Sequence, residues 1–273
     1  MNLNDKIMVI TGASSGIGAA TARAAAQEGA RVVLLARNQA KLDGVAEDIR
    51  RGSKVAHVFA VDLTIADAVG EVSKKIIAEV GTPDIVFNNA GAGKWLSVEE
   101  TDPDEAMKMM AAPYFAAFFV TRAFLPGMLK RNSGCIVNMT SVASRMAWPG
   151  ATAYIAARWA MRGFTEGLRA DLTGTDLRTM LVTFAKVTSS YWENNPGSEE
   201  RLPEAQSMVR VLTPEEAAQA IINGIKRDKR EVVAPFSLRC VFALNHFFPN
   251  TTRRMMCAGG NRRKIGSEVG REA

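Results

Sequence analysis

Cysteine and histidine are scarce in this chain of 273 residues. The three cysteines, Cys135, Cys240 and Cys257, and the two histidines, His57 and His246, stand at irregular spacings. These numbers exclude a disulfide framework, and the spacings match no set of metal ligands. We therefore expect neither a disulfide-stabilised secreted domain nor a metal site.

The sequence also has no uninterrupted apolar run of the ~20 residues that span a bilayer. We expect no signal peptide before the first apolar segment, and therefore a cytoplasmic protein. The basic residues form no recognisable nucleic-acid motif, so nucleic-acid binding is disfavoured.

The residues that are present suit one α/β domain, because 47% hydrophobic content over this length can bury a large core. Apolar strand-like runs alternate with helical segments. Strands are predicted at 6–10, 32–35, 55–61, 84–88, 135–140, 178–184 and 231–234, and helices at 18–28, 38–51, 65–80, 104–131, 152–172 and 214–227. This alternation predicts a doubly wound parallel sheet, a three-layer αβα Rossmann fold, with a ligand crevice at the carboxyl ends of its strands.

A glycine-rich loop, Thr11 to Gly18, separates the first predicted strand from the first helix. Glycines allow close approach of the backbone to a pyrophosphate, and the free N–H groups of a helix start favour its charge. The alternative is that the glycines serve only turn geometry and packing. The residues expected to bind the dinucleotide are Gly12, Ser14, Ser15, Gly16, Ile17 and Gly18.

Further cofactor contacts are expected after the next three strands. Arg37 stands where an enzyme specific for the non-phosphorylated cofactor usually has an acid, so NADP(H) is favoured over NAD(H). The alternative for Arg37 is a solvated position at a helix start. Asp62 and Leu63 are expected at the adenine, with Asp62 accepting from its amino group. The segment Asn88-Asn89-Ala90-Gly91 is expected to form the floor, with Asn89, Ala90 and Gly91 as cofactor contacts.

Four motifs together resemble the short-chain dehydrogenase/reductase family: the TGxxxGxG loop, Asn88-Asn89-Ala90-Gly91, Ser141 and Tyr154-x-x-x-Arg158. The resemblance covers roughly residues 5–235. It implies hydride transfer to or from a nicotinamide. It also implies that Ser141 hydrogen-bonds the substrate oxygen and that Tyr154 moves the proton.

Arg158 occupies the position where the family has a lysine that holds the nicotinamide ribose. A cation about 4 Å from a phenol favours the phenolate by ~4 kcal/mol at an effective dielectric near 20. Arg158 keeps this charge and the donors but loses the ability to pass on a proton. The catalytic set is therefore expected to be Ser141, Tyr154 and Arg158, with Tyr154 and Arg158 also touching the cofactor.

Two further departures from the family pattern lie near this site. Pro113 replaces an asparagine that supports a helix kink, and it is expected to free the Met109 carbonyl and to keep the bend; the alternative is a packing role. Phe184-Ala185 replaces Pro-Gly after the sixth strand. Val187 and Thr188 remain as expected contacts of the cofactor carboxamide.

The substrate pocket is expected to be apolar, which suits a bulky hydrophobic alcohol or ketone. Its expected wall is Trp95, Met146, Trp148, Tyr191 and Trp192, and the loop 188–214 is expected to form a lid. The alternative is that these aromatic residues belong to the core or to subunit contacts. Trp159 and Phe164 are expected to face a partner subunit, as the resemblance to the family's helix-bundle homodimers and homotetramers implies.

The positive charge of the chain is concentrated at its C-terminal end. Residues 224–273 contain 11 Lys and Arg against 4 Asp and Glu, whereas the remainder is nearly neutral. We expect a catalytic domain over 1–235, an apolar and basic segment over 236–258, and a disordered tail over 259–273. Segment 236–258 is interpreted as a lid, a subunit contact or a peripheral membrane contact.

Two functions follow from these residues. The first is an NADP(H)-dependent oxidoreductase that interconverts a hydrophobic carbonyl and an alcohol. The second is a dinucleotide-binding protein with little turnover, because Arg158 and Pro113 replace the family's residues. Retention of both Ser141 and Tyr154 favours the first.

Overall fold

The computed structural model describes residues 1–258. Over that range the chain forms a seven-stranded sheet of order β3-β2-β1-β4-β5-β6-β7, in which every neighbouring pair is parallel. The strands are β1 (Ile7–Thr11), β2 (Arg31–Ala36), β3 (Ala56–Ala60), β4 (Ile85–Asn88), β5 (Gly134–Ser141), β6 (Leu177–Phe184) and β7 (Glu231–Ala234). The predicted doubly wound fold is confirmed. The predicted tail over 259–273 lies outside the described residues.

Helices connect these strands and cover both faces of the sheet. They are α1 (Gly16–Gln27), α2 (Gln39–Arg51), α3 (Ala66–Glu79), α4 (Pro103–Met110), α5 (Ala116–Arg131), α6 (Thr152–Asp171), α7 (Tyr191–Asn194), α8 (Pro214–Lys226), α9 (Phe236–Phe247) and α10 (Pro249–Met256). Helices α7, α9 and α10 were not predicted from the sequence. Two of these, α9 and α10, make up nearly all of segment 236–258.

Alternation along the strands divides the core into two layers. In β1, Met8 and Ile10 pack with α1, α2 and α8, whereas Ile7 and Val9 pack with α3, α5 and α6 on the other face. Successive side chains of a strand point to opposite faces, so a strand covered on both sides must be apolar throughout. The burial of all five residues of β1 follows from this arrangement.

The helix expected over 104–131 is divided at Pro113. A π-helical turn, Ala111–Phe115, separates α4 from α5, and the N–H of Ala116 bonds to the carbonyl of Ala111. Proline has no N–H and crowds the preceding turn, so a widened turn accommodates it. Pro113 is itself buried. It therefore fits the packing role as well as the expected bend.

A buried chain of hydrogen bonds ties β4, β5, α5 and α6 together behind the carboxyl ends of the strands. The amide nitrogen of Asn88 donates to Thr121 at 3.0 Å and to Asn138 at 2.8 Å. Asn138 donates in turn to Thr165 at 3.0 Å, and Thr165 donates to the Met161 carbonyl. Buried polar groups that are paired in this way fix the relative positions of the elements that carry them.

The continuous helical stretch Pro103–Arg131 has a mean hydropathy of 1.2 over its most apolar 18 residues, which is enough by length and composition for a membrane span. This stretch contains no uninterrupted apolar run of ~20 residues and was not expected from the sequence. The inner side of the stretch packs against the sheet through Val120, Phe124 and Met128. Core helices of this kind pass the same length and composition test.

Candidate active site

The glycine-rich loop lies at the carboxyl end of β1 and depends on glycine at three positions. Gly12 and Gly16 have φ of +65° and +52°, in the left-handed region that favours glycine. A Cβ on Gly18 would lie 2.2 Å from the Gly12 carbonyl oxygen, and one on Gly12 would lie 3.0 Å from the Ala90 Cα. The loop is therefore a tight backbone cradle that any side chain at these positions would fill.

Side chains of Thr11 and Asn89 hold the cradle against the end of β4. The Thr11 hydroxyl accepts from the N–H groups of Asn89 and Ala90, both at 2.9 Å, and donates to the Phe87 carbonyl. The Asn89 amide donates to the carbonyls of Thr11 and Gly12 at 3.0 and 3.3 Å. The Asn89 amide nitrogen thus holds the loop in place.

Helix α1 begins next to this cradle without a side-chain cap. Ser15 is its N-cap residue, and its side chain makes no capping hydrogen bond. The first backbone N–H groups of a helix have no intrahelical acceptor and carry a partial positive charge. Gly16 also lies close to the loop that follows β6, since a Cβ there would be 3.2 Å from that of Ser189.

The ends of β2 and β3 present two cations and one carboxylate. Arg37 and Lys41 line the cavity, are exposed, and make no side-chain hydrogen bond or ion pair with the described residues. Asp62 accepts from the backbone N–H and the hydroxyl of Thr64 at 3.0 and 2.7 Å. Partial burial opposes its ionisation, but these hydrogen bonds and the Arg37 charge prevail and lower the pKa of Asp62.

The predicted catalytic residues come from β5 and α6. Ser141 ends β5, and its hydroxyl oxygen accepts from the Ala143 N–H at 3.3 Å. Tyr154 and Arg158 lie one turn apart in α6, and each is only 6% exposed. All three residues line the same cavity as the glycine-rich loop.

The guanidinium of Arg158 lies on the face of the Tyr154 ring, with its central carbon 4.8 Å from the ring centroid. This is the geometry of a cation–π contact. The Nε of Arg158 is buried and has no hydrogen-bond partner among residues 1–258. A Cβ on Gly91 would lie 3.0 Å from Nη2 of Arg158, so the glycine at position 91 makes room for the guanidinium.

Two loops are joined by hydrogen bonds beside Tyr154. The Tyr191 hydroxyl donates to the Gly93 carbonyl at 2.6 Å and accepts from the Trp95 indole at 3.1 Å. Asn195 accepts from the Gly93 N–H, and Ser198 accepts from the Trp95 N–H. Loops 91–97 and 188–201 therefore form one wall of the cavity.

Burial is the largest influence on Tyr191 and raises its pKa well above the usual range for a phenol. Neighbouring Tyr154 acts in the same direction, and the positive charge of Arg158 only partly opposes them. Tyr191 therefore remains a neutral donor over the physiological pH range. It can support the loops, but it cannot accept a proton as a base.

One cavity of about 1270 Å³ joins the glycine-rich loop to this aromatic wall. The sequence-predicted site residues that line it are Gly12, Ser14, Ser15, Gly16, Ile17, Arg37, Asp62, Leu63, Asn89, Ala90, Gly91, Ser141, Tyr154, Arg158 and Val187. Trp95, Met146, Trp148, Tyr191 and Trp192 of the expected substrate wall line it too, and α9 and α10 add apolar side chains that include Leu238 and Met256.

Three residues that were expected at the site do not line this cavity. Gly18 packs against the Gly12 carbonyl, so its lack of a side chain serves the loop. Thr188 donates through both its N–H and its hydroxyl to the Leu212 carbonyl, and is absent from the cavity lining. Asn88 is buried, and its amide nitrogen donates to Thr121 and Asn138 instead of facing the cavity.

Sequence reasoning missed Lys41, Asn195 and Ser198. Lys41 could have been found, because it lies in the first turn of α2 and therefore close to Arg37. Asn195 and Ser198 are buried polar residues in a long loop that contacts residues about a hundred positions away. No local pattern in the sequence indicates such a contact.

Comparison with known proteins agrees with this architecture. The family model for short chain dehydrogenases matches residues 6–199. An uncharacterized oxidoreductase of Mycobacterium tuberculosis is 34% identical over 244 residues, covering 86% of this chain and 69% of the relative. The chain therefore belongs to the short-chain dehydrogenase/reductase family, a family of oxidoreductases.

Solved structures show the same fold. An alcohol dehydrogenase from the archaeon Thermococcus sibiricus, complexed with 5-hydroxy-NADP, superposes with a TM-score of 0.75 at 27% identity, covering 85% of this chain and 96% of that one. A short-chain dehydrogenase/reductase from Burkholderia phymatum in complex with NAD gives a TM-score of 0.82 at 22% identity, covering 93% and 98%.

Proposed function

We propose that this protein is an NADP(H)-dependent oxidoreductase that interconverts a carbonyl and an alcohol on a hydrophobic substrate. The observation that carries the proposal is the Tyr154–Arg158 pair, buried in the same cavity as the glycine-rich loop. A buried guanidinium without a carboxylate is energetically costly, so such a group is retained where a ligand or a reacting oxygen uses its charge.

The site suits a dinucleotide because a Cβ at Gly12 or Gly18 would collide with the cradle. The open N–H groups at the start of α1 suit the pyrophosphate, and Asp62 keeps one carboxylate oxygen free of Thr64 for an adenine amino group. The nicotinamide supplies or accepts the hydride when the cofactor is bound. In this proposal Arg158 donates to the nicotinamide ribose.

The preference for NADP(H) rests on Arg37 and Lys41. The two side chains provide charge and several donors for a 2′-phosphate, and neither makes a side-chain hydrogen bond or ion pair with another described residue. One of the two structural neighbours carries 5-hydroxy-NADP and the other carries NAD, so they do not decide between the cofactors.

Tyr154 is the proposed general acid and base. Carbonyl reduction develops negative charge on the substrate oxygen, which Ser141 can stabilise by hydrogen bonding while Tyr154 donates its proton. The resulting phenolate lies under the Arg158 guanidinium, whose charge stabilises it. Oxidation of the alcohol uses the same groups in reverse. Tyr191 stays protonated because burial raises its pKa, so it does not compete for the proton.

The proposed substrate is bulky and apolar. Aromatic and aliphatic side chains from four segments line the part of the cavity beyond Tyr154, namely Trp95, Trp148, Trp192, Leu238 and Met256. In this proposal loop 188–214 and helices α9 and α10 form the lid. The binding free energy that such an apolar surface provides increases with the apolar area that the substrate buries on it.

The decisive experiment follows NADPH oxidation against a panel of hydrophobic ketones, for the wild-type protein, Tyr154→Phe and Arg158→Lys. We expect wild-type turnover and a loss of about 100-fold or more in kcat for Tyr154→Phe, with unchanged NADPH affinity. Activity that appears only in Arg158→Lys would overturn the enzymatic proposal in favour of a dinucleotide-binding protein without turnover.

We also propose a homodimer or homotetramer assembled through α5 and α6. Phe115, Phe118 and Trp159 are each at least 40% exposed, and Phe118 contacts Phe164 at a centroid distance of 5.9 Å. An exposed aromatic surface of this kind favours association. Light scattering on the wild-type protein and Phe118→Ser measures the subunit number, and a monomeric wild type would contradict the proposal.

A further inference from the structure

Helix α9 is apolar on both of its faces. Leu238 and Phe242 are buried on the inner face, beside the substrate part of the cavity. Phe236, Leu244 and Phe247 are 73%, 38% and 72% exposed, and their spacing puts them on one outer face. A helix face with several large apolar side chains is normally covered by protein or by lipid. We therefore expect another molecule to cover the outer face of α9.

The charged side chains of segment 236–258 are all of one sign. Arg239 on α9 and Arg253 and Arg254 on α10 are exposed, and segment 236–258 contains no aspartate or glutamate. Phe248, at the junction of the two helices, is 59% exposed. An apolar stripe bordered by cations is complementary to the interface of an anionic bilayer, where each basic side chain near the surface strengthens binding.

The outer face is continuous with the cavity. Cys240 and Leu244 are both exposed, and both also line the cavity, so the stripe reaches its mouth. A lipophilic molecule held in a bilayer could enter the cavity at this point without crossing water. The arrangement connects the apolar interior of the protein to the surface that would contact lipid.

We propose that α9 and α10 bind the anionic surface of a lipid bilayer and hold the mouth of the cavity against it. A second copy of this chain is a poorer occupant. A twofold pairing of this face with itself would bring the arginines of both copies together with no carboxylate of segment 236–258 between them. Membrane binding does not depend on the proposed catalytic activity, so the two can fail separately.

The test is co-sedimentation of the full-length protein with vesicles of phosphatidylcholine alone and of phosphatidylcholine with phosphatidylserine. We expect binding to the anionic vesicles, weakened about tenfold or more by added salt and by Arg253→Gln/Arg254→Gln. The double variant Phe236→Ser/Phe247→Ser is expected to lose binding to a similar or greater extent. Circular dichroism confirms that each variant is folded.

Matched controls lie elsewhere on the surface. Arg227→Gln/Arg230→Gln removes two charges before β7, whereas α9 follows that strand; Val55→Ser/Ile65→Ser removes two exposed apolar side chains near the opposite edge of the sheet. Both are expected to bind vesicles as the wild type does. Equal binding by Phe236→Ser/Phe247→Ser and its control, or no wild-type binding, overturns the proposal.

A second measurement does not depend on variants of the proposed surface. Cys240 is exposed on the outer face, Cys135 is buried, and Cys257→Ser removes the remaining thiol. A polarity-sensitive fluorophore on Cys240 is expected to shift to the blue with anionic vesicles and to stay unchanged with neutral ones. No shift would contradict the proposal. If size-exclusion chromatography instead shows that Phe236→Ser/Phe247→Ser dissociates an oligomer while vesicles are not bound, the face is a subunit contact.

Discussion

The dinucleotide half and the substrate half of the cavity are built in different ways. Around β1, β2 and β3 the site consists largely of backbone, with the glycine-rich loop set by positive φ angles and by neighbours that a Cβ on Gly12 or Gly18 would meet at 3.0 Å or less. Around Tyr154 it consists of side chains brought together by loops 91–97 and 188–201 and by α9. Local geometry therefore defines the first half, and tertiary contacts define the second.

The largest expected effect is in the backbone half. Gly18→Val would place a Cβ 2.2 Å from the Gly12 carbonyl oxygen, and rigid backbone cannot yield to it. We expect dinucleotide binding to be abolished, together with a clear fall in melting temperature, measured by calorimetry with and without NADPH. Gly70→Ala in α3 is the control, because a Cβ there meets nothing within 4 Å and alanine favours a helix by up to about 1 kcal/mol. A Gly18→Val protein that binds NADPH normally would refute the cradle.

Leu238→Ala tests the substrate half. Leu238 is buried in α9, and truncation of a buried leucine costs about 2–5 kcal/mol. We expect a lower free energy of unfolding and a raised KM for hydrophobic ketones, with little change in NADPH affinity. Phe236→Ala on the exposed side of the same helix should leave stability within about 0.5 kcal/mol of wild type. Equal effects of the two variants would mean that α9 does not pack on the cavity.

Arg37→Asp tests the cofactor preference of the dinucleotide half. Loss of charge-assisted hydrogen bonds to a 2′-phosphate is expected to cost about 1.5–3 kcal/mol, or roughly 10- to 150-fold in NADPH affinity, while NADH affinity is kept or improved. Isothermal titration with both cofactors measures the ratio. Lys54→Asp, beyond the far end of α2, controls for the change of net charge. An unchanged ratio would leave Arg37 as a solvated helix-start residue.

The smallest effect concerns the salt bridge between the two loop regions. Arg201 donates to both oxygens of Glu100, which with Ser97 lowers the pKa of Glu100 to about 2. The folded-state pKa lies below the unfolded value, so the stabilisation is present above about pH 4.5 and is lost as pH falls toward 2. Glu100 is 39% exposed, so we expect less than about 1 kcal/mol.

Hydrogen exchange of residues 91–101 and 188–201 between pH 5 and pH 3 measures this loosening. The exchange should be corrected for its intrinsic pH dependence. Glu100→Gln is expected to be looser at pH 5 and insensitive to the change. Identical pH profiles for wild type and Glu100→Gln would show that this ion pair does not hold the loops.

This difference between the two halves also explains which features could be predicted from the sequence. The seven strands were predictable because each is a short apolar run between helical segments, and the glycine-rich loop because its spacing is local. The tie between Trp95, Tyr191 and Asn195 was not predictable, since it joins positions about a hundred residues apart that carry no shared pattern. Helix α9 was also missed, because apolar side chains on two opposite faces of a helix obscure its periodicity.

The position of Arg158 has a consequence for the thermal behaviour of the protein. A cation enclosed by an aromatic ring and a glycine backbone, with an Nε that no residue of 1–258 pairs, makes the folded chain less resistant to heat than its packing alone would allow. A ligand that brings an oxygen to this guanidinium relieves that penalty only in the native state. Cofactor binding should therefore act as a thermal stabiliser, and the protein that persists longest in a warm cell should be the one that already holds its dinucleotide.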